Sequence, residues 1–253
     1  SCIMKTRPIY CVRLTLLDND SMSNNAIPHT NSLFLHFAYY LFGALFRISF
    51  RLKLKRDRRK LAALAAQDRP LIVVFNHASY LDVPLVALSL GLRLMRQMTL
   101  PGKKELFEDR STRWMTPLMS VIPVDREMTD TTAVRALLRA LQQGRSILMS
   151  PEGTRSPDGV VRPFQVGFAK LAHKANALVV PVGIRGAAEA MPRGTHFPRP
   201  AAPIAVTVGE PLDPRTYIQG KPDSSAFAAF AEITRQAVIA LSMQSPARRE
   251  GQP

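Results

Sequence analysis

Leu71-Ile72-Val73-Val74-Phe75 is a run of five apolar residues with no polar interruption. As a strand it has no face to offer water and must be covered on both sides, the condition of a parallel sheet flanked by helices. The rest of the chain repeats the theme. Ile147-Leu148-Met149, residues 178–184 and residues 204–208 read as further strands, Val121-Ile122-Pro123-Val124 as an extended segment, and residues 92–100 as a strand. Helical patterns fall between them, over 58–67, 104–109, 112–120, 129–143, 167–176 and 225–241. One more helix should begin near Asp82, because Pro84 is tolerated in a first turn and not further in. Thr or Asp can cap the helix at 129, and Gly144 stands just past its end. This alternation predicts an α/β fold: a single sandwich-like domain around a mostly parallel mixed sheet flanked by helices. At 253 residues the chain suits one large domain, or one such domain with an appendage.

Charge is the second constraint. The formal net charge is +15, and between Arg47 and Lys60 eight cations face the single Asp57. A charge this large speaks to partners rather than to fold: nucleic acid, an anionic membrane surface or anionic substrates. The fourteen residues before this cluster, 33–46, are aromatic and apolar. As a helix they would reach about 21 Å, short of the roughly 30 Å hydrocarbon core, which favours an interfacial or partly inserted helix over a full span. Tyr39 and Tyr40 suit the interface, and the cations suit anionic headgroups. Residues 31–66 are therefore read as a membrane-docking segment, between a flexible tail at 1–30 and the main domain at 67–242, with a second flexible tail at 243–253.

Two polar motifs follow two of the apolar runs. In Asn76-His77-Ala78-Ser79-Tyr80-Leu81-Asp82, a histidine stands at the end of the strand and a carboxylate five positions on. A histidine whose tautomer is held by an acid is a common way to build a general base. On one continuous helix that offset would not align the two side chains, so His77 must lie in the loop for Asp82 to reach its ring. Ordinary helix capping competes, because Ser79-Tyr80-Leu81-Asp82 also fits a capping box. The second motif is Pro151-Glu152-Gly153-Thr154-Arg155-Ser156, at a strand-to-loop edge of the kind where open α/β sheets place ligands. Gly153 lets a ligand approach the backbone, Thr154 and Ser156 offer hydroxyls, and Arg155 supplies a planar fork suited to phosphate. By itself this motif also fits a plain turn with a solvated arginine.

Taken together and in order, these motifs resemble the glycerolipid acyltransferase family, specifically its 1-acyl-glycerol-3-phosphate acyltransferases. Val121-Ile122-Pro123-Val124-Asp125-Arg126 is similar to that family's second block, and Val180-Pro181-Val182-Gly183-Ile184-Arg185-Gly186 to its fourth. Lys103-Lys104-Glu105-Leu106 and Pro163-Phe164-Gln165-Val166-Gly167 sit where the family has similar segments. Three positions depart from the pattern: Ser120 where glycine is frequent, Ser150 where phenylalanine often precedes the proline, and Gln165 where lysine is common.

The resemblance implies transfer of a fatty acyl group from a thioester to the free hydroxyl of a lysophospholipid, with phosphatidic acid as the expected product. His77 would be the base and Asp82 its orienting partner. Arg155, with Arg126 and Lys104, would hold the acceptor's phosphate, and Glu152 would organise the loop or the glycerol hydroxyls. Acyl-CoA or acyl carrier protein enters as co-substrate, with no cofactor and no metal expected. The expected partners are an anionic membrane surface, the lysophospholipid and the acyl donor, and no nucleic acid. Cys2 and Cys11 define no disulfide framework, and the first thirty residues lack a secretory layout. A membrane-associated position on the cytoplasmic face is the corresponding expectation. The competing readings are acylation of a different lysolipid headgroup and a non-catalytic basic protein that binds membranes or nucleic acid. A lipid hydrolase would need a Gly-x-Ser-x-Gly elbow, which the chain lacks.

Overall fold

The structure, a computed structural model, describes residues 32–103, 108, 120–124, 131–192, 194, 195, 197–220 and 222–244. In chain order the elements are α1 (Ser32–Ser49), β1 (Arg51–Lys55), α2 (Arg58–Leu64), β2 (Leu71–Phe75), α3 (Asp82–Leu90), α4 (Leu92–Met95), β3 (Met98–Lys103) and β4 (Val121–Val124). They continue with α5 (Thr131–Gln142), β5 (Ser146–Met149), α6 (Gly167–Ala175), β6 (Leu178–Arg185), α7 (Ala187–Ala190), β7 (Pro203–Val208), α8 (Pro214–Tyr217) and α9 (Ser224–Met243).

The strands form one sheet in the order β1-β7-β6-β2-β5-β3-β4. β6 and β7 are antiparallel and every other neighbouring pair is parallel, so the sheet is mixed and mostly parallel, as expected. β2 lies in the middle, and all five of its residues are buried. Its side chains alternate between two cores, as the period of a strand requires. Leu71, Val73 and Phe75 pack with Leu85, Val86, Leu88 and Leu94 of α3 and α4. Ile72 and Val74 pack with Leu137, Leu141, Phe168 and Phe230 of α5, α6 and α9 on the other face. Each such side chain stabilises the fold by about 1.5–3 kcal/mol through burial, which is why this run could be recognised without its partners.

α9 covers β6 closely. A Cβ at Gly183 would run into the backbone of Leu241 and Ser242, so the glycine sets the approach of helix to sheet. α9 is also the one helix among the described residues that is long and apolar enough to cross a membrane. Phe230, Ala231, Thr234 and Val238 of α9 are buried, so one face of the helix packs on the fold while most of its surface is not buried.

Several expectations change. Residues 92–100 are not one strand: a helical turn, α4, precedes β3. Leu94 and Met95 are buried from a helix as well as they would be from a strand, the ambiguity that any short apolar run carries. The helix expected over 58–67 ends at Leu64. Of the helices expected at 104–109 and 112–120, nearly all lies outside the described residues, and Ser120 itself is a turn residue at φ 54°. The capping residues proposed for the helix at 129 also lie outside them.

β1 was not anticipated. It falls within the segment read as a docking unit, yet it pairs in parallel with β7 from Arg51↔Pro203 to Lys55↔Thr207. Leu52 and Leu54 face the core while Arg51, Lys53 and Lys55 are exposed. Exposed cations on an edge strand discourage pairing with another chain. Part of the basic cluster is used internally as well: Arg56 donates to the carbonyls of Leu88 and Ser89 at the end of α3, and Lys60 pairs with Glu210.

Candidate active site

β2 and β5 are adjacent and parallel, so their C-terminal ends lie at the same edge of the sheet. The loop carrying His77 leaves β2 there, and the loop carrying Arg155 leaves β5. Two motifs some seventy residues apart are thus brought together by one strand pairing, at the edge where such sheets bind ligands.

His77 lies in the loop and Asp82 opens α3. The histidine's Nδ1 is 2.8 Å from Asp82 Oδ2. A carboxylate oxygen accepts, so Nδ1 carries the hydrogen and Nε2 keeps its lone pair. The same Oδ2 accepts the backbone N–H groups of Ala78 at 2.7 Å and Ser79 at 2.8 Å. The capping interaction and the histidine contact therefore do not compete: one oxygen serves both. Asp82 Oδ1 is buried without a hydrogen-bond partner. The Asp82 side chain is 1% exposed and the His77 side chain 18%, so the acid is enclosed and the imidazole opens toward solvent.

Asn76 fixes the start of this loop. Its side chain donates to the Ile184 carbonyl at 2.9 Å and accepts the Ile184 N–H at 2.8 Å, a reciprocal clamp onto β6. The Ser79 hydroxyl donates to the Met191 carbonyl at 3.0 Å.

Glu152 joins the two loops. It is buried, and its Oε1 accepts the His77 backbone N–H at 2.8 Å while Oε2 accepts the Arg162 N–H at 3.0 Å. Burial pushes its carboxyl above the usual range, and these two backbone donors pull the other way. A return link runs from the Ser156 N–H to the His77 carbonyl at 2.7 Å. Gly153 stands at φ 74°, where a Cβ would also come within 2.6 Å of Gln165 Nε2. Thr154 is exposed, whereas the Ser156 hydroxyl is committed to Asp158 at 2.7 Å. The guanidinium of Arg155 lies over the ring of Tyr80, 3.6 Å from its centroid.

A match to the family model described as Acyltransferase covers residues 53–185, just over half of the chain. The chain belongs to the acyltransferase family. The matched span includes both loops and every element from β2 to β6. Among curated relatives, a chloroplastic 1-acyl-sn-glycerol-3-phosphate acyltransferase of Brassica napus is 32% identical over 161 residues, 62% of this chain and 45% of the relative. The 1-acyl-sn-glycerol-3-phosphate acyltransferase of Bacillus subtilis is 25% identical over 174 residues, 68% of this chain and 80% of that one. The chain spans roughly half or less of the length of the plant and algal relatives it matches. The crystal structure of the 1-acyl-sn-glycerophosphate acyltransferase PlsC from Thermotoga maritima has the same fold. It superimposes with a TM-score of 0.63 at 24% identity, over 84% of this chain and 81% of that one.

In this member of the family the structure brings together His77, Asp82, Glu152, Gly153, Thr154 and Arg155. Lys104 and Arg126 lie outside the described residues, although β4, which leads to Arg126, runs parallel to β3. Sequence reasoning missed the roles of Asn76 and Tyr80. Both stood in plain view inside the motif, but their partners, Ile184 and Arg155, are distant in the chain.

The three departures from the family pattern sit in different local settings. Ser120 occupies the left-handed region where glycine is least strained, and its hydroxyl accepts from Arg145 at 2.8 Å. Ser150 Oγ is buried without a hydrogen-bond partner, and Gln165 packs beside Gly153. A cavity of about 380 Å³ borders the buried side of Asp82, with Asp158, Arg185 and Glu189 in its lining. Val160, Ile184 and Met243 line it as well, so the lining is mixed.

Proposed function

We propose that this protein transfers a fatty acyl group from a thioester, acyl-CoA or acyl carrier protein, to the free hydroxyl of 1-acyl-glycerol-3-phosphate, giving phosphatidic acid. The observation that carries the reading is the His77–Asp82 pair: Nδ1 is bound to a buried carboxylate and Nε2 is free, beside a loop that presents a guanidinium. His77 Nε2 takes the proton of the acceptor hydroxyl as its oxygen attacks the thioester carbon. The C–S bond then breaks, and the departing thiolate receives the proton back from the imidazolium. Asp82 holds the ring and stabilises its charged form. No enzyme nucleophile is needed, because the thioester is already activated.

Arg155 binds the acceptor's phosphate, with Arg126 and Lys104 as its companions in this role. Glu152 spends both oxygens on backbone donors, so we assign it to holding the two loops in register rather than to the substrate. Thr154 and the Gly153 backbone border the phosphate position.

The membrane surface is the second part of the proposal. Seven of the fourteen large apolar side chains exposed among the described residues lie on α1. Leu33, Phe37, Tyr40, Leu41, Leu45 and Ile48 follow helical spacing and form one stripe. Arg47, Arg51, Lys53 and Lys55 are exposed close by in the chain. An apolar stripe beside cations suits an anionic lipid surface, on the cytoplasmic side where acyl-CoA and acyl carrier protein are found.

The test is thiol release by the purified protein in detergent, with lysolipids that differ only in headgroup. Lysophosphatidic acid should be the preferred acceptor. His77→Ala should lower the rate by at least about 10²–10⁴-fold, the worth of general-base catalysis. Near-wild-type turnover by that variant would remove the assignment, and preference for another headgroup would move the enzyme to a different lysolipid.

A further inference from the structure

Tyr80, 62% exposed, is the one large side chain in the His77–Asp82 loop that stands out in solvent. It contributes nothing to either core, yet its ring lies against the Arg155 guanidinium, 3.6 Å from centroid to central carbon. Both partners stand on pinned backbone. Ser79, just before the ring, donates its N–H to Asp82 and its hydroxyl to the Met191 carbonyl. Beside the arginine, Ser156 is tied to the His77 carbonyl.

The way Arg155 is held matters more than the fact that it is held. Arg155 forms no hydrogen bond and no ion pair among the described residues. A carboxylate partner would fix the guanidinium equally well, but it would cancel the charge and occupy the N–H fork. An aromatic ring takes only the face of the cation and leaves the in-plane donors free. A long flexible side chain is thereby given one orientation while its charge and its bidentate edge stay available for an anion.

We propose that Tyr80 is a positioning residue for the acceptor's phosphate, presenting the Arg155 fork to it through face contact with the guanidinium. The proposal rests on the reading of Arg155 as a phosphate ligand and adds a specific part to it. The ring sits between base and acid in the same loop, so it ties the place where the phosphate binds to the place where the hydroxyl is deprotonated. The ring face does this and the phenol oxygen does not. A phosphate monoester, which offers two oxygens to a planar fork, is the ligand class that benefits.

Steady-state kinetics for lysophosphatidic acid test it, on wild type, Tyr80→Leu, Tyr80→Phe, Tyr80→Trp, Arg155→Ala and the double variant Tyr80→Leu/Arg155→Ala. Tyr80→Leu should raise KM for the acceptor about two- to fivefold, the worth of an exposed cation–π contact. Its kcat and thermal midpoint should stay at wild-type values, as expected for an exposed side chain. Phe and Trp should restore wild-type KM, and the double variant should match Arg155→Ala alone. An unchanged KM in Tyr80→Leu beside a raised KM in Arg155→Ala overturns the role given to Tyr80. So do independent, multiplying effects in the double variant, or a Tyr80→Phe that behaves like Tyr80→Leu. An unchanged KM in Arg155→Ala overturns instead the phosphate assignment beneath the proposal.

Discussion

Replacing Asp82 by asparagine separates the two things its carboxylate does. Oδ2 collects three N–H groups, from His77 Nδ1 at 2.8 Å, Ala78 at 2.7 Å and Ser79 at 2.8 Å, while Oδ1 has no partner. An asparagine with its carbonyl oxygen in the place of Oδ2 can accept all three, so the loop and the histidine tautomer survive. Its amide group takes the place of Oδ1, where nothing accepts from it. What disappears is the charge. When His77 becomes an imidazolium, it sits about 4 Å from the centre of the carboxylate charge, worth about 4 kcal/mol at an effective dielectric of about 20. That corresponds to about 10³-fold in kcat. Neutral acceptors also form hydrogen bonds roughly half as strong as ionised ones, and the buried amide N–H groups go unpaired at about 1–3 kcal/mol; relief from burying a charge works against both, so urea stability should fall by less than in Asp82→Ala. Asp82→Ala is the poorer probe, because it strands three buried donors at about 1–3 kcal/mol each. The measurement is thiol release at saturating acceptor, with urea unfolding on the same preparations. A stable Asp82→Asn enzyme with kcat within tenfold of wild type would refute the reasoning.

Other perturbations test other parts of the site. Asn76→Ala leaves the N–H and carbonyl of Ile184 without their partners and should cost about 2–4 kcal/mol in urea unfolding; a loss under about 0.5 kcal/mol would contradict the clamp. Burial raises the Glu152 carboxyl above its ordinary value of 4.5, so folding favours its protonated form. Its titration then contributes stability that is full below the unfolded value and is lost as pH rises through the higher folded one. Against the non-titrating Glu152→Gln, wild type should therefore compare best below the ordinary value of 4.5 and less well as pH rises above it; a gap moving the opposite way would overturn the sign. On α1, Leu45→Asp with Ile48→Asp should release the protein from anionic vesicles without changing thiol release in detergent. Undiminished vesicle binding would show that the exposed stripe is not the docking face.

Much of the fold was legible because burial leaves a signature in composition. β2 could be read from five apolar residues, and α9 from its amphipathic spacing. β1 was hidden for the opposite reason: Arg51, Lys53 and Lys55 dominate the segment, and its Leu52 and Leu54 mark a strand only once a neighbouring edge exists for it to join. Residues 92–100 were misread because a buried apolar run is equally content as a helical turn.

By itself the sequence determined the His77–Asp82 pair. Histidine and aspartate are five positions apart, and with the histidine in the loop its ring reaches the carboxylate that opens α3. Only the tertiary structure decided what surrounds the pair. Glu152 reaches the His77 backbone across 75 residues, and Asn76 clamps Ile184 across 108. Arg155 reaches Tyr80 only because β2 and β5 are neighbours in the sheet. That adjacency comes from the summed burial of two cores rather than from any local preference, so no window of sequence contains it.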